Sequence, residues 1–291
     1  IPNFKCFGYY GGMPKLNLKN PEVEKYITDV ACYWIKECDI DGWRLDVGDE
    51  ISHFFWKNFR KAVKAVKKDM LIIGEIWHYA GDFLEGDEWD TVMNYPFYLN
   101  LIDLLADEKI TVSQFVQNLG YLKGRLHKNC YPLMWNLIDS HDTARFLHLC
   151  NDNKKKQHLA AAFQLLLPGM PMIYYGDEYA MPGANDPDCR RGMYWDEEYQ
   201  DKEMYEWYKR LIQVRKSHAC IVEGELAGSV TEDAEGTVVL IRKNGEETIA
   251  MIFNCSSSAK KFNEYTQKYN LLTENTFDGN VEGFDAAVIV L

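Results

Sequence analysis

Short apolar segments alternate with amphipathic helical segments along most of this 291-residue sequence. Asn20 is suited to cap a helix that begins at Pro21 and ends near Cys38. Residues 42–47 and 70–73 are predicted strands on either side of a second helix. Three further strands are predicted over residues 91–93, 133–138 and 171–175. This alternation predicts an α/β fold with a parallel sheet covered by helices, and its regular repeat favours part of a (β/α) barrel.

The pattern changes from about Cys220 onward to short runs in which apolar and polar residues alternate. Such runs occupy residues 238–242, 248–253 and 286–291, and turns rich in Gly, Asn and Asp separate them. Alternation with a period of two is typical of half-buried strands. We therefore predict two regions, residues 1–218 as barrel and residues 219–291 as a small antiparallel β-sandwich domain that packs directly on it.

Charge and composition limit the classes of partner. The formal net charge is −12, which argues against a nucleic-acid partner and suits a neutral polyhydroxylated ligand. A hydrophobic content of 47% can supply one large core and a smaller module. No segment reaches the run of about 18 apolar residues that a bilayer span needs, so we expect a soluble chain without a membrane partner.

Two further features concern processing and the thiol groups. The sequence starts at Ile1 without an initiator Met or an apolar leader, so we expect the natural N-terminus to lie upstream. Localisation then stays open. The eight cysteines show neither metal-type nor disulfide-framework spacing, and we expect buried free thiols.

Carboxylates follow two of the predicted strands in the first half of the chain. At the end of the first strand, Arg44 and Asp46 are two residues apart and share one face, so Arg44 can hold Asp46 ionised. An ionised carboxylate suits a nucleophile at an anomeric carbon. At the end of the second strand, Glu75 follows a run of apolar residues and lies close to Trp77 in the sequence. Apolar and aromatic surroundings favour the protonated form of a carboxyl group, which suits a general acid. A structural ion pair and a structural glutamate are the alternatives.

A third group of polar residues follows the strand at residues 133–138. His141 and Asp142 lie where this strand gives way to a helix, and capping of that helix is the alternative role for Asp142. His141 has no partner histidine at helical spacing, which argues against a metal ligand. Functional residues of a (β/α) barrel gather where the strands end, so the three carboxylates are predicted to converge around one sugar ring.

These segments closely resemble the α-amylase family of glycoside hydrolases. The resemblance covers nearly the whole chain and implies a partial (β/α)8 TIM barrel, strands four to eight, followed by an antiparallel domain. It implies Asp46 as the nucleophile and Glu75 as the acid/base catalyst. His141 and Asp142 match the pair that grips sugar hydroxyls and stabilises the transition state.

Three shorter motifs are similar to the neopullulanase, cyclomaltodextrinase and maltogenic amylase subgroup. The first, Met13-Pro14-Lys15-Leu16-Asn17, precedes the first helix. The second runs from Val47 to Glu50, where Glu50 would line the acceptor side, although Gly48 and Asp49 depart from the subgroup's Ala and Asn. Asp186 and Arg190, in the third, would contact the sugar on the non-reducing side, with a loop ion pair as the alternative. Trp77 would stack on the leaving glucose, with core packing as the alternative.

The resemblance implies a retaining hydrolase that acts by double displacement through a glucosyl-enzyme. The resemblance implies cleavage of α-1,4 glucosidic bonds in maltooligosaccharides, cyclodextrins, pullulan or starch. Cleavage of α-1,6 bonds is a further option. No cofactor is expected; the family allows calcium, but calcium ligands are not evident in this chain. The cytoplasm is favoured by the subgroup.

The resemblance starts after the family's barrel strands one to three, so a homodimer or the missing N-terminal half of the barrel is the expected partner. This fragment alone is expected to be inactive. Two other functions stay open. One is an α-glucan transglycosylase, and the other is a non-catalytic amylase-like protein that binds sugar or serves as a scaffold.

Overall fold

The computed structural model describes residues 3–127 and 129–291, so Ile1, on which the expectation about the N-terminus rests, lies outside them. The chain forms two compact units. The first comprises residues 3–93 together with 125–127 and 129–134, and the second comprises residues 94–124 and 135–291. The candidate catalytic residues are divided between them, Asp46 and Glu75 in the first unit and Asp142 in the second.

The first unit contains a three-stranded parallel sheet with two helices. Its elements are α1 Pro21–Cys38, β1 Gly42–Leu45, α2 His53–Val66, β2 Leu71–Gly74 and β3 Thr91–Val92, and the strand order is β1-β2-β3. Helix α1 begins as the sequence predicts, because the Asn20 side chain accepts a hydrogen bond from Glu22 N and Pro21 occupies the first turn. Ser52 caps α2 in the same way.

The register of β1 and β2 decides which side chains meet beyond the strand ends. Leu45 pairs with Gly74, so the next residues of the two strands, Asp46 and Glu75, leave the sheet side by side. Behind this edge Trp89 is buried, with its ring stacked on Phe83 at a centroid distance of 4.2 Å. The stacked rings of Trp89 and Phe83 therefore pack behind the strand ends.

The second unit begins with helices and a two-stranded parallel sheet. Its first elements are α3 Tyr95–Leu101, α4 Val112–Arg125, β4 Trp135–Leu137, α5 Phe146–Leu149, α6 Lys154–Leu166, β5 Met170–Met172, α7 Lys202–Ser217 and α8 Ala219–Glu223. Strands β4 and β5 are parallel, and Trp135 pairs with Met170. Helix α6 is buried on nearly every side from Leu159 onward, which is typical of a helix inside a core.

An antiparallel sheet completes the second unit. Its elements are β6 Glu225–Glu232, β7 Thr237–Asn244, β8 Glu247–Asn254, β9 Lys260–Lys261, β10 Tyr269–Asn270, β11 Asn275–Thr276, β12 Asn280–Val281 and β13 Asp285–Val290. Six strands form one sheet in the order β11-β10-β13-β8-β7-β6, and β9 pairs with β12. One face of the large sheet joins the core around α6, and the other packs on Phe262, Phe277 and Val281. The predicted antiparallel strands are confirmed; the boundary at residue 218 stays a prediction.

The five predicted parallel strands are all observed, but each is two to four residues long. All eight cysteines are free thiols, as expected. Burial is confirmed for four of them, Cys130, Cys150, Cys189 and Cys220, whereas Cys38 is exposed at the end of α1. Within residues 3–127 and 129–291, every helix falls short of the length and apolar character that a membrane span requires.

Candidate active site

One guanidinium group contacts both candidate catalytic carboxylates of the first unit. Arg44 Nη1 lies 2.5 Å from Asp46 Oδ1, and Arg44 Nη2 lies 2.7 Å from Glu75 Oε1. The predicted pairing of Arg44 with Asp46 is confirmed as a contact. The second contact, with Glu75, follows from the strand register and is not apparent from the sequence, because 31 residues separate Arg44 from Glu75.

The two carboxylates differ sharply in exposure. The Asp46 side chain is 74% exposed, whereas the Glu75 side chain is 5% exposed. The sequence predicts apolar and aromatic surroundings for Glu75, but the structure adds two polar partners. Besides Arg44, the backbone N–H of Val47 donates to Glu75 Oε2 over 3.0 Å. Trp77, two residues further on, is 43% exposed, so core packing does not account for this side chain.

The loop after β1 is held in a strained conformation. Val47 has a φ of 44° and a ψ of 44°, a left-handed conformation that is rare for a β-branched residue. Strain of this kind persists where surrounding contacts fix it and clusters at functional sites. Here Glu75 N donates to Leu45 O over 2.8 Å, and Gly48 N donates to Glu75 O over 3.1 Å. These bonds fix the ends of β1 and β2 to each other on both sides of Val47.

Glu50 is fully engaged by residues from the start of the chain. Lys15 Nζ lies 2.5 Å from Glu50 Oε2 and also donates to the Glu50 carbonyl over 3.0 Å. Gly8 N donates to Glu50 Oε1 over 2.8 Å. The hydrogen bond from Lys15 holds the pKa of Glu50 below its usual range. The motif around Lys15 thus has a structural role at this site, and a sugar contact of Glu50 stays a prediction.

A second arginine organises the polar residues of the second unit. Arg190 Nη2 lies 3.1 Å from Asp142 Oδ1, and Arg190 Nε lies 2.8 Å from Asp186 Oδ1. His141 Nε2 lies 3.1 Å from Asp142 Oδ2. The structure therefore brings together all four residues that the sequence predicts here, and the loop ion pair considered for Asp186 and Arg190 is present. Their sugar contacts stay predictions.

A residue other than Asp142 caps the helix after β4. Asp139, not Asp142, accepts a hydrogen bond from Phe146 N at the start of α5. Asp142 instead has Arg190 and His141 as partners, which leaves it on the accessible side of the loop. The alternative capping role for Asp142 is therefore wrong, because Asp139 already occupies that N–H group.

A buried polar network lies beneath His141 and Asp142. Arg145 Nη1 lies 3.0 Å from Asp177 Oδ1, and both side chains are fully buried. The buried carboxyl groups of Asp139 and Asp177 interact with each other. Burial raises the pKa of Asp177 to about 7. Burial and the neighbouring Asp177 raise the pKa of Asp139 well above its usual range. Two carboxyl groups in such contact share a proton.

Metal binding finds no support among the residues that the structure describes. None of their His, Cys, Asp and Glu side chains form a group of three or more that could hold a metal ion. The functional groups of the candidate site are carboxylates, arginines and exposed aromatic rings.

Comparison with known proteins identifies the family. Residues 3–224 match the family described as "Alpha amylase, catalytic domain". This chain belongs to the α-amylase family. The five parallel strands are accordingly strands four to eight of a (β/α)8 barrel, and the antiparallel sheet is the domain that follows them in this family. The predicted fold class and family are confirmed.

The similar α-amylase family members include two curated proteins and a solved structure. A cyclomaltodextrinase of Geobacillus thermopakistaniensis (strain MAS1) is 45% identical over 258 residues, covering 89% of this chain and 44% of the relative. An intracellular maltogenic amylase of Bacillus subtilis is 43% identical over 253 residues, covering 87% of this chain and 43% of the relative. A solved cyclomaltodextrinase structure has a TM-score of 0.93 and 34% identity, covering 99% of this chain and 52% of that one.

These relatives confirm the predicted subgroup and set the extent of the match. The chain spans somewhat less than half the length of the curated relatives it matches. Sequence reasoning missed the contact of Lys15 with Glu50 and the buried group of Asp139, Arg145 and Asp177. The lysine lay inside a motif already noted, but its partner is 35 residues away.

Proposed function

We propose that the protein containing this chain is a retaining hydrolase of α-glucans. The observation that carries the proposal is the contact of Arg44 with both Asp46 and Glu75 at the ends of adjacent parallel strands. Retaining glycosidases keep their two carboxyl groups about 5–5.5 Å apart, and inverting ones about 6.5–9.5 Å apart. Two carboxylates that share one guanidinium group lie near enough to act on one glycosidic bond. The retaining course of the reaction is proposed from the resemblance to the α-amylase family.

The proposed reaction has two displacement steps. Glu75 donates its proton to the glycosidic oxygen while the Asp46 carboxylate bonds to the anomeric carbon, and the leaving sugar departs. Glu75 then removes a proton from water, whose oxygen attacks the anomeric carbon and releases Asp46. The exposure of Asp46 supports its role as the nucleophile, because the attacking oxygen must reach the substrate.

The remaining polar residues are proposed to bind the sugar. Asp142 and His141 stabilise the transition state through sugar hydroxyls, while Asp186 and Arg190 contact the non-reducing side. Trp77 stacks on the leaving glucose, and its exposed ring supports this role. Glu50 lies on the acceptor side. The substrates are maltooligosaccharides or cyclodextrins joined by α-1,4 bonds, with pullulan, starch and α-1,6 bonds as extensions. This class agrees with the names of the relatives.

The nucleophile is tested by an Asp46→Asn substitution in the complete protein. Asparagine cannot form the glucosyl ester, so kcat should fall more than about 1,000-fold while the melting temperature stays unchanged. The matched control is Asp41→Asn, which alters an exposed aspartate at the other end of β1 and should keep full activity. The measurement is sugar release from maltohexaose, with the anomer of the first product followed by NMR.

Two results would refute the proposal. Near wild-type turnover by Asp46→Asn would remove Asp46 from the reaction. A first product of inverted configuration would exclude double displacement even if Asp46 proved essential.

A further inference from the structure

Two exposed tyrosines stand at the tip of a closed loop beside Glu50. We define the tyrosine loop as residues 5–15. Its ends are joined by hydrogen bonds from Phe7 N to Met13 O and from Lys15 N to Lys5 O, each 2.9 Å long. At the tip, Tyr9 is fully exposed and Tyr10 is 65% exposed. Two adjacent exposed aromatic rings provide apolar surface that a ligand can cover.

The tyrosine loop is fastened to the end of β1 by Glu50. Gly8 N and Lys15 Nζ occupy the two carboxylate oxygens of Glu50, as described above. Lys15 Nζ also lies 4.7 Å from the centre of the Phe7 ring. Since consecutive Cα atoms are about 3.8 Å apart, the Cα atom of Tyr10 lies within about 8 Å of that of Gly8. Glu50 follows Asp46 by four residues, so the tyrosine loop is attached to the segment that carries the proposed nucleophile.

The ring of Tyr10 is held in place by the loop itself. A β-carbon at Gly12 would lie 2.6 Å from Tyr10 Cε1, so the ring lies directly against the backbone there. Tyr9 has a φ of 58°, a left-handed conformation that is uncommon for a residue with a side chain. A backbone constrained in this way presents the rings at little further cost in conformational entropy when a ligand binds.

The surface around the two tyrosines suits a neutral ligand. The charge of Glu50 is balanced by Lys15, and the two phenol groups offer hydroxyl donors and acceptors beside flat apolar faces. A sugar ring combines an apolar C–H face with hydroxyl groups, so it can stack on tyrosine and hydrogen-bond at the same time. The net charge of −12 disfavours a nucleic acid at the same rings.

We propose that Tyr9 and Tyr10 bind a glucosyl unit of the α-glucan at a position removed from the bond that is cleaved. This inference rests on the proposed function, and it adds a binding position to it. The tyrosine loop makes longer substrates bind more tightly than short ones, because only a longer chain reaches both the reacting carboxylates and the two rings.

The test compares substrates of different length in the complete protein. Tyr9→Ala and Tyr10→Ala should each raise the KM for maltohexaose about 3- to 10-fold, the loss expected for one aromatic contact, with kcat unchanged. The KM for maltotriose should change less. Tyr10→Phe keeps the ring and loses the hydroxyl group, so its KM should lie between those of wild type and Tyr10→Ala. Tyr269→Ala, which removes an exposed tyrosine on β10, is the matched control and should change neither value.

Binding measurements separate this inference from the proposed function. Calorimetry with maltohexaose is performed on the Glu75→Gln protein with and without Tyr9→Ala. Weaker binding caused by Tyr9→Ala supports the tyrosine site even if the wild-type protein proves to have no hydrolytic activity. Equal dissociation constants in the two proteins overturn it. Unchanged binding together with a lower melting temperature of Tyr9→Ala would instead mean that other parts of the protein pack on these rings.

Discussion

Individual arginines organise the polar residues in both units of this chain. Arg44 contacts Asp46 and Glu75, and Arg190 contacts Asp142 and Asp186. A planar guanidinium group can hold two carboxylates in fixed directions, which a lysine ammonium group cannot do. Each arginine therefore sets the orientation of a pair of acids and not only their charge.

The role of Arg44 is tested by Arg44→Gln and Arg44→Lys. Loss of the guanidinium leaves the buried Glu75 with one partner fewer, so we expect a free energy of unfolding lower by about 1–3 kcal/mol. We expect kcat/KM of the complete protein to fall at least about 100-fold in both variants, because Asp46 and Glu75 lose their common support. Lys57→Gln, which breaks an exposed pair with Asp87, should leave stability close to that of wild type. Full activity of Arg44→Lys would contradict the orienting role.

The buried acids Asp139 and Asp177 predict a pH dependence of stability. An unfolded aspartate has a pKa of about 3.9, whereas burial raises the pKa of Asp177 to about 7. Between these values the folded chain retains a proton that the unfolded chain has released. The contribution of this pair to the free energy of unfolding is therefore largest at acidic pH and falls as pH rises from about 4 to 7.

The measurement is the melting temperature between pH 5 and 7.5 for wild type and Asp139→Asn. Asparagine can still accept the hydrogen bond of Phe146 N and does not titrate, so the decline with pH should be smaller in this variant. Asp41→Asn, at an exposed position, should retain the wild-type decline. An unchanged slope in Asp139→Asn would show that Asp139 does not exchange protons in this range.

At the level of elements, the parallel pair β1 and β2 sets the positions of the carboxylates. The backbone at the ends of these strands packs closely on the Trp89 ring. β-Carbons at Gly48 and Gly74 would lie 2.6 Å and 2.2 Å from atoms of the Trp89 ring. Only glycine fits at these two positions. The departure of Gly48 from the subgroup's alanine thus has a packing reason in this chain.

Substitution at Gly74 tests this packing. Gly74→Ala forces a β-carbon into the Trp89 ring and should lower the free energy of unfolding by about 1–3 kcal/mol. Gly120→Ala is the matched control, because it lies in α4 with no atom within 4 Å of a new β-carbon. In a helix interior this change should stabilise by about 0.5–1 kcal/mol. Thermal or urea unfolding measures both, and equal effects would contradict the argument.

At the scale of the whole molecule, residues 3–127 and 129–291 leave open some surfaces that a parallel barrel normally covers. Within the described residues, β1 pairs with β2 on one side only. The apolar face of α1 includes Tyr26, Val30 and Trp34, and all three side chains are exposed. Parallel strands are normally covered on both faces, and five strands do not close a barrel of eight.

We therefore predict that the 291-residue chain alone has little or no activity. The assay is the release of reducing sugar from maltohexaose or cyclodextrin by the purified chain, with the complete protein as the positive control. The chain should stay far below the rates of about 1–1,000 per second that are typical of enzymes. Turnover within that range by the chain alone would refute the prediction.

The sequence by itself determined the kinds of elements and the identity of the candidate acids. Helix caps such as Asn20, apolar periodicity and the carboxylates at strand ends depend on residues close together in the chain, so local rules identify them. The predicted strand ends were less accurate. The first strand ends at Leu45 and not at Val47, because Val47 adopts a left-handed conformation.

Only the tertiary structure decided which acids share a partner. The contact of Arg44 with Glu75 depends on the register of β1 and β2, and the contact of Lys15 with Glu50 joins segments 35 residues apart. The choice of Asp139 over Asp142 as the capping residue likewise depends on how the loop after β4 closes. Such contacts depend on the distance between remote segments, and local sequence patterns carry no information about that distance.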